Sequence, residues 1–215
     1  MSLIHPLSFT AITQHLTPRI GITGGIGSGK TTVCHIFEAL GIPVYYADTR
    51  AKWLTTHDPA LKKAIVALLG QEAYLAEGTY NRAFVSEQVF HHADTLAALN
   101  RLVHPAVERD SATWHAEQAA KGAPYTLKEA ALMVESGSYR LLDALIAVTA
   151  PEAVRIQRVM QRDGLAETAV RARLNNQLPE AAKVALANYV VVNDGTRLLL
   201  PQVLAIHRNI LGNKP

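Results

Sequence analysis

The chain has 215 residues, of which 49% are hydrophobic and 18% are charged, and this balance excludes an intrinsically disordered protein. The net charge is +3, but lysine and arginine are scattered without a basic stripe, so we expect phosphorylated small molecules and no nucleic acid as partners. No apolar run reaches the roughly 18 residues that a membrane span requires. The start lacks a signal-peptide pattern and Cys34 is the only cysteine, so we expect a cytoplasmic protein.

Short β-rich runs alternate with helical patterns along the chain, which is typical of an α/β fold with a parallel sheet. The first predicted strand is Arg19–Thr23, and a helix over Lys30–Leu40 follows it with one apolar face. A second strand is predicted over Pro43–Ala47. We expect residues 1–18 to form an N-terminal extension and residues 19–215 to form one domain.

Residues 49–122 contain no convincing strand pair, so this stretch is predicted to be a helical insertion between the second and third strands. Asp58 is predicted to cap a helix that begins at Pro59 and ends at Gly70, and Asn81 to cap another. The later helices of the insertion are predicted over 82–90, 93–103 and 105–121.

The third strand is predicted over Tyr125–Val134, although Lys128 and Glu129 interrupt its apolar character. The remaining elements are strands over 144–149 and 188–192, helices over 151–162, 167–177 and 179–187, and a final helix with Leu199, Val203, Ile206 and Ile210 on one face.

A glycine-rich segment from Gly24 to Thr31 fits the pattern G-x-x-x-x-G-K-[ST] at every fixed position, with a strand before it and a helix after it. Glycines let successive backbone N–H groups point at phosphate oxygens, and the helix adds its positive end. Lys30 is predicted to reach the β- and γ-phosphates of ATP, and Thr31 to ligate Mg²⁺. The predicted nucleotide-binding residues of the loop are Gly25, Ile26, Gly27, Ser28, Gly29, Lys30, Thr31 and Thr32.

A phosphate-binding loop of this kind also serves GTPases, motors and ATP-driven binding modules, so other residues must decide the function. A GTPase is expected to carry an N-K-x-D motif, and the sequence has none.

Several further motifs resemble those of the dephospho-CoA kinase family over about residues 19–211. The matching segments are Gly21–Thr32, Tyr45–Asp48, Asn81-Arg82, Leu99–Pro105, Gln161–Asp163, Arg173 with Gln177, and Val192–Asp194. The resemblance implies transfer of the ATP γ-phosphoryl group to the ribose 3′-hydroxyl of dephospho-CoA. It also implies a doubly wound fold with five parallel strands in the order 2-3-1-4-5, an acceptor-binding insertion and a small lid.

Two other functions remain open at this point. One is phosphorylation of a different small molecule or nucleotide on the same scaffold, and the other is a non-enzymatic, ATP-dependent switch. The sequence leaves the oligomeric state open as well.

Asp48 follows the second predicted strand, at the edge of the sheet where open α/β folds bind ligands. A carboxylate there can accept the proton of the attacking hydroxyl, as in other kinases. The alternative is a helix N-cap, a role that Asp often fills. With the resemblance we favour the catalytic role.

Four arginines, at positions 158, 162, 171 and 173, surround Asp163-Gly164. This run resembles the lid of nucleotide-type kinases, and we place the lid over residues 158–182. Guanidinium groups suit phosphoryl oxygens, so Arg162 is our first choice for a catalytic contact, with Arg158 and Arg173 as nucleotide contacts. The alternative is a solvated helix face.

The resemblance also implies an acceptor-binding set of Asp48, Asn81, Arg82, Asn100, His104 and Glu135. His104 has a structural alternative, because we expect it to lie between two helices. Asn193 is a candidate for reading adenine, although the sequence N-D-G also marks a simple turn. We expect no metal role for His91-His92, and a packing role for Cys34.

The third strand departs from the family pattern P-L-L-x-E, because Ala131 stands in place of the proline. Lys128 and Glu129 occupy positions where apolar or Asp residues are usual. Unpaired buried charges are costly, so we expect these two side chains to form ion pairs or to face a cleft. Glu129 is also a candidate for a metal-supporting acid.

Overall fold

The computed structural model describes residues 17–90 and 92–212, and within them five parallel strands form one sheet in the order β2-β3-β1-β4-β5. The predicted strand order is therefore confirmed. The strands are β1 Arg19–Thr23, β2 Val44–Tyr46, β3 Thr126–Glu129, β4 Ala144–Thr149 and β5 Tyr189–Val192. The expected N-terminal extension falls outside the described residues up to position 16.

Nine α-helices flank the sheet within the described residues. They are α1 Lys30–Ala39, α2 Ala47–His57, α3 Pro59–Leu69, α4 Arg82–Phe90, α5 Ala93–Ala120, α6 Glu152–Asp163, α7 Glu167–Asn175, α8 Glu180–Leu186 and α9 Leu199–Ile210. Short 3₁₀ turns lie at Gln71–Ala73 and Ser138–Leu141. None of the helices described is long and apolar enough to cross a bilayer.

The main core lies where α1 and α9 pack on the sheet. Ile22, Leu127 and Ile146 come from its three central strands, and Phe37 of α1 and Val203 of α9 complete the same buried cluster. Full burial of such a side chain contributes roughly 1.5–3 kcal/mol. Cys34 belongs to this cluster, where burial raises the pKa of its thiol, so its packing role is confirmed.

The helical insertion has a core of its own, in which Ile65 of α3 and Leu99 and Val107 of α5 pack with Tyr45 of β2. The structure corrects one of its boundaries. We predicted two helices separated at Pro105, but α5 runs unbroken through it. Proline removes an N–H donor and crowds the carbonyl one turn back, but the next residues, Ala106 and Val107, are buried against the insertion core, which favours a continuous helix. His104 therefore lies inside a helix and not between two.

The third strand is also shorter than predicted, because it ends at Glu129 and not at Val134. Ala130 N–H still donates to the Ile22 carbonyl, after which the chain turns away from the sheet. Met133 and Val134 then pack in a small cluster with Leu145. Met133 and Val134, which we assigned to the strand, are buried by this turn instead, whereas Leu132 stays exposed.

Asp58 provides the first testable prediction, because its Oδ1 accepts hydrogen bonds from Ala60 N–H at 2.9 Å and Leu61 N–H at 3.0 Å. Asp58→Ala should lower the free energy of unfolding by about 1 kcal/mol, since two N–H groups at the start of α3 lose their partner. Urea unfolding measures the change. Asp94→Ala is the control, because Asp94 lies in the first turn of α5 and the N-cap position there makes no side-chain capping bond. Equal losses in the two variants would contradict the capping role.

Candidate active site

The segment Gly24–Thr31 forms a loop that joins β1 to α1, as the sequence predicts. Ser28 N–H donates to the Gly25 carbonyl at 3.1 Å and tightens the loop. Gly29 is the N-cap of α1, so the positive end of this helix faces the loop. This arrangement favours the binding of an anionic group inside the loop.

Two glycines of the loop are required by both conformation and space. Gly27 and Gly29 have φ of 79° and 92°, in the left-handed region. A Cβ atom at Gly27 would lie 2.5 Å from the Arg155 carbonyl oxygen, and one at Gly29 would lie 2.2 Å from Asn193 Nδ2. The loop is thus in close contact with α6 and with the segment after β5, and a side chain at either glycine would collide with them.

Lys30 lies across this loop. Its Nζ donates to the Gly24 carbonyl at 3.1 Å and lies 3.8 Å from Glu129 Oε1. Burial lowers the pKa of Lys30, while the negative charges of Glu129 and Asp48 oppose that shift. A buried ammonium with little access to water interacts strongly with phosphate oxygens.

Two carboxylates accompany Lys30 at the carboxyl edge of the sheet. Strand pairing sets Tyr46 level with Glu129, so Asp48 follows just beyond the end of β2. Asp48 is exposed in the first turn of α2, and Tyr46 holds the N-cap position, so the alternative capping role for Asp48 is wrong. Burial raises the pKa of Glu129, Lys30 opposes this shift, and the charge of Asp48 reinforces it.

The residues around the loop fit a nucleotide with a magnesium ion. Ser28 Oγ is buried in the loop without a hydrogen-bond partner among the described residues. Thr31, on the first turn of α1, is exposed beside the loop. No group of three His, Cys, Asp or Glu side chains able to hold a metal occurs in the described part of the chain. Mg²⁺ bound to ATP needs only one or two protein oxygens, which Thr31 and Glu129 can supply.

A cleft of about 870 Å³ opens beside this edge, between α2, α5 and the segment that follows β3. Asp48, Asn100 and His104 all line it, so the structure brings these three predicted residues together. His104 keeps an exposed edge, but the cleft walls desolvate its ring and lower its pKa. The lining is otherwise largely apolar and includes Val103, Val107, Ala130, Leu132 and Leu141.

Both unusual charges of the third strand are paired, as we expected. Lys128 Nζ donates to Glu108 Oε1 on α5, and both side chains line the cleft. Glu129 faces Lys30 instead. Lys128 and Glu129 have different partners because neighbouring residues of a strand point to opposite faces of the sheet.

Three predicted acceptor residues lie outside the cleft lining. Asn81 caps α4 by accepting from Phe84 N–H at 3.2 Å, and Arg82 is the first residue of that helix. Glu135 forms an ion pair with Lys183 at 2.7 Å and accepts from Leu178 N–H at 3.0 Å. Its position connects the predicted lid to the segment after β3.

The predicted lid contacts the phosphate-binding loop through several side chains. Arg158 donates to the Gly27 carbonyl at 3.4 Å and to Asn193 Oδ1 at 3.3 Å. Asn193 Nδ2 in turn donates to the Ser28 carbonyl at 2.8 Å. Arg158 and Asn193 therefore brace the loop, a contact that the sequence did not reveal.

Arg162 and Arg173 both bind Asp163, with nitrogen–oxygen distances of 2.7 and 3.1 Å, and both are exposed. Arg171 pairs with Glu152 and Glu167 instead. Arg162 and Arg173 thus form one cluster with a shared carboxylate at the end of α6.

Two further residues at the loop escaped the sequence analysis as contacts. Arg155 is buried, donates from Nε to the Ala150 carbonyl at 3.1 Å, and places Nη1 against Gly25. Gln177 Oε1 accepts from Ile26 N–H at 2.9 Å. The match of Gln177 to the family was the only available signal, and a single arginine in a helical pattern gave none.

The parallel sheet, the glycine loop with its buried lysine, and a cleft beside Asp48 together define a P-loop kinase. The dephospho-CoA kinase family model matches residues 19–198. The chain belongs to the dephospho-CoA kinase family.

Curated relatives agree with this assignment, and a solved structure shares the fold. The chain is 38% identical over 197 residues to the dephospho-CoA kinase of Porphyromonas gingivalis, covering 91% of this chain and 96% of that protein. It is 42% identical over 177 residues to the dephospho-CoA kinase of Salinibacter ruber, covering 82% of this chain and 89% of that protein. The crystal structure of TT1252 from Thermus thermophilus superposes with a TM-score of 0.76 at 31% identity, covering 93% of this chain and 98% of that one.

The buried ion pair between Lys183 and Glu135 provides the second prediction, because the Lys183 side chain is 1% exposed and also donates to the Ala131 carbonyl. Lys183→Met should lower the free energy of unfolding by about 3–5 kcal/mol, since Glu135 is left without its cation. Denaturant unfolding measures the loss.

The double variant Lys183→Met/Glu135→Leu is the matched control, because it removes both charges. It should recover most of the lost stability. A double variant as unstable as Lys183→Met alone would show that packing and not charge pairing is responsible.

Proposed function

We propose that Lys30 and Asp48 carry phosphoryl transfer from ATP to an acceptor held in the cleft beside them. The family assignment makes the reaction the ATP-dependent phosphorylation of dephospho-CoA, an alcohol acceptor, which gives coenzyme A and ADP. The observation that supports our residue assignment is the position of Asp48. It lines the cleft while its charge acts on Lys30 of the phosphate-binding loop.

The chemistry follows from these positions. The 3′-hydroxyl oxygen of the ribose attacks the γ-phosphorus of ATP while Asp48 accepts the hydroxyl proton. The bond between the γ-phosphorus and the β-phosphate oxygen breaks, and ADP leaves. Lys30 stabilises the negative charge on the β- and γ-phosphate oxygens, in a site with little water. No covalent intermediate is needed, so positioning and charge stabilisation provide the acceleration.

The nucleotide is proposed to lie in the loop formed by residues 25–32, with its phosphates on the backbone N–H groups. A phosphate oxygen that binds Ile26 N–H must displace the Gln177 side chain, which occupies that donor here. Asn193 lies beside the loop and remains our candidate for contact with adenine. Bound Mg²⁺ would neutralise phosphate charge, and Thr31 and Glu129 are the residues proposed to hold or support it.

The helical insertion at 49–122 is proposed to bind the acceptor, through Asn100 and His104 of α5. Asn81, Arg82 and Glu135 are left out of the proposed acceptor set because they do not line the cleft. Residues 158–182 are proposed to act as a lid, in which Arg162 moves from Asp163 to the transferred phosphoryl group and Arg158 and Arg173 assist at the nucleotide. We place this activity in the cytoplasm.

An assay of ADP release with and without dephospho-CoA tests the proposed reaction. Release should depend on dephospho-CoA and on Mg²⁺, and other nucleosides and nucleotides should replace this acceptor poorly. ADP release that is equal with and without any acceptor would contradict the reaction.

Asp48→Asn should lower kcat by roughly 10²–10⁴-fold and leave ATP affinity nearly unchanged, because asparagine keeps the size but cannot accept the proton. Steady-state kinetics and ATP titration measure the two effects. Asp94→Asn is the control, since Asp94 also lies in the first turn of a helix but outside the cleft. A kcat near that of wild type in Asp48→Asn would show that another group acts as the base.

Lys30→Ala should abolish detectable transfer while the fold is retained, because Lys30 contacts the loop carbonyl and Glu129 outside the hydrophobic clusters. Circular dichroism checks the fold, and ADP release measures the activity. The matched control is Lys63→Ala on the exposed side of α3, which should behave as wild type. Turnover near normal in a folded Lys30→Ala protein would rule out the phosphate-binding role.

A further inference from the structure

The acceptor cleft has a charge arrangement that its proposed use has not explained. Three lysine or arginine side chains line it: Arg109 on α5, Lys128 on β3, and Arg140 in the 3₁₀ turn at Ser138–Leu141. Lys128 is neutralised by Glu108. Within residues 17–90 and 92–212, neither Arg109 nor Arg140 has a carboxylate in ion-pair range. Two positive charges therefore remain uncompensated in a largely apolar cleft.

The two arginines reach the cleft from different elements of the fold. Arg109 lies one residue after Glu108 on α5, and Arg140 projects from the segment that follows β3. Both are exposed, so their guanidinium groups can contact a bound molecule without breaking an ion pair. The guanidinium carbon of Arg140 also lies 5.5 Å from the centroid of the Tyr139 ring, a contact that leaves its N–H donors available.

The acceptor carries a matching charge. Dephospho-CoA has a diphosphate between its adenosine and its pantetheine arm, and the rest of the molecule is neutral. The cleft provides apolar walls for the neutral parts, and Asp48 for the ribose hydroxyl. Guanidinium groups bind phosphate oxygens with paired, charge-assisted hydrogen bonds, which makes Arg109 and Arg140 suitable partners for the diphosphate.

We propose that Arg109 and Arg140 bind the diphosphate of the acceptor and thereby fix its ribose 3′-hydroxyl against Asp48. This inference rests on the proposed acceptor cleft. The two residues determine specificity, because an acceptor without the diphosphate gains nothing from them. Lys128 takes no part, since Glu108 already holds its ammonium group.

The test compares Arg109→Gln and Arg140→Gln at saturating MgATP. The KM for dephospho-CoA should rise about 10- to 100-fold in each, the loss expected for a charge-assisted hydrogen bond. The inhibition constant of adenosine against dephospho-CoA should stay unchanged, because adenosine lacks the diphosphate. Arg140→Lys should recover part of the affinity, and added salt should raise the wild-type KM more than the variants'.

Arg101→Gln is the matched control, since Arg101 is an exposed arginine on the same helix but does not line the cleft. Its KM should equal that of wild type. If the binding of adenosine and that of dephospho-CoA weaken equally in the Arg109 and Arg140 variants, the arginines shape the cleft and bind no diphosphate. An unchanged KM for dephospho-CoA would also overturn the proposal.

Leu132→Ser separates this inference from the acceptor site on which it rests. Leu132 is an exposed apolar residue of the cleft wall, 46% accessible, so its replacement should disturb binding more than folding. If Leu132→Ser raises the KM and the arginine variants do not, the cleft is correct and the diphosphate contact is wrong. If none of the three changes the KM, the acceptor binds elsewhere.

Discussion

The parallel pairing of β1, β2 and β3 is the constraint on which the site depends, because it ends three strands at one edge of the sheet. β1 leads there into the phosphate-binding loop, β2 into Asp48, and β3 ends at Glu129. Lys30 returns to the same edge from α1 and lies between the Gly24 carbonyl and Glu129. The phosphate-binding loop and the groups that we propose as base and metal support thus meet although they are far apart in the sequence.

Buried charge is compensated locally throughout this edge. The ammonium groups of Lys30, Lys128 and Lys183 each meet a carboxylate, and each of these contacts joins two different elements. The pairs contribute little net stability after desolvation, but an unpaired partner would be costly. These ion pairs fix the positions of α1 against β3, of α5 against β3, and of α8 against the segment after β3.

The two sides of the site differ in polarity for a chemical reason. The nucleotide side consists of backbone N–H groups, Lys30 and the arginines of α6, which suit a triphosphate. The proposed acceptor side is an apolar cleft with a few polar groups, which suits adenine and a pantetheine arm. Asp48 lies where the two meet, and this explains how a single carboxylate can connect acceptor and donor.

Sequence reasoning succeeded for the elements that local chemistry controls. Glycine spacing and the flanking strand and helix identified the loop around Lys30, and the caps at Asp58 and Asn81 follow from side chains that bind nearby N–H groups. The resemblance to a family supplied the strand order, which the structure confirms, and the role that we propose for Asp48. Pattern alone misplaced the end of β3 and divided α5 at Pro105, since burial against distant residues overrides local preference.

The identity of the charged groups that face one another emerges from the fold and not from local sequence. Arg109, Arg140 and Arg155 are ordinary residues of helices or turns in the sequence, and nothing local distinguishes them from a solvated surface. The partners of Lys128 and Lys183 lie 20 and more residues away, so their pairing depends on how the helices pack on the sheet. Electrostatic energy depends on distance in space, and the fold is what sets that distance.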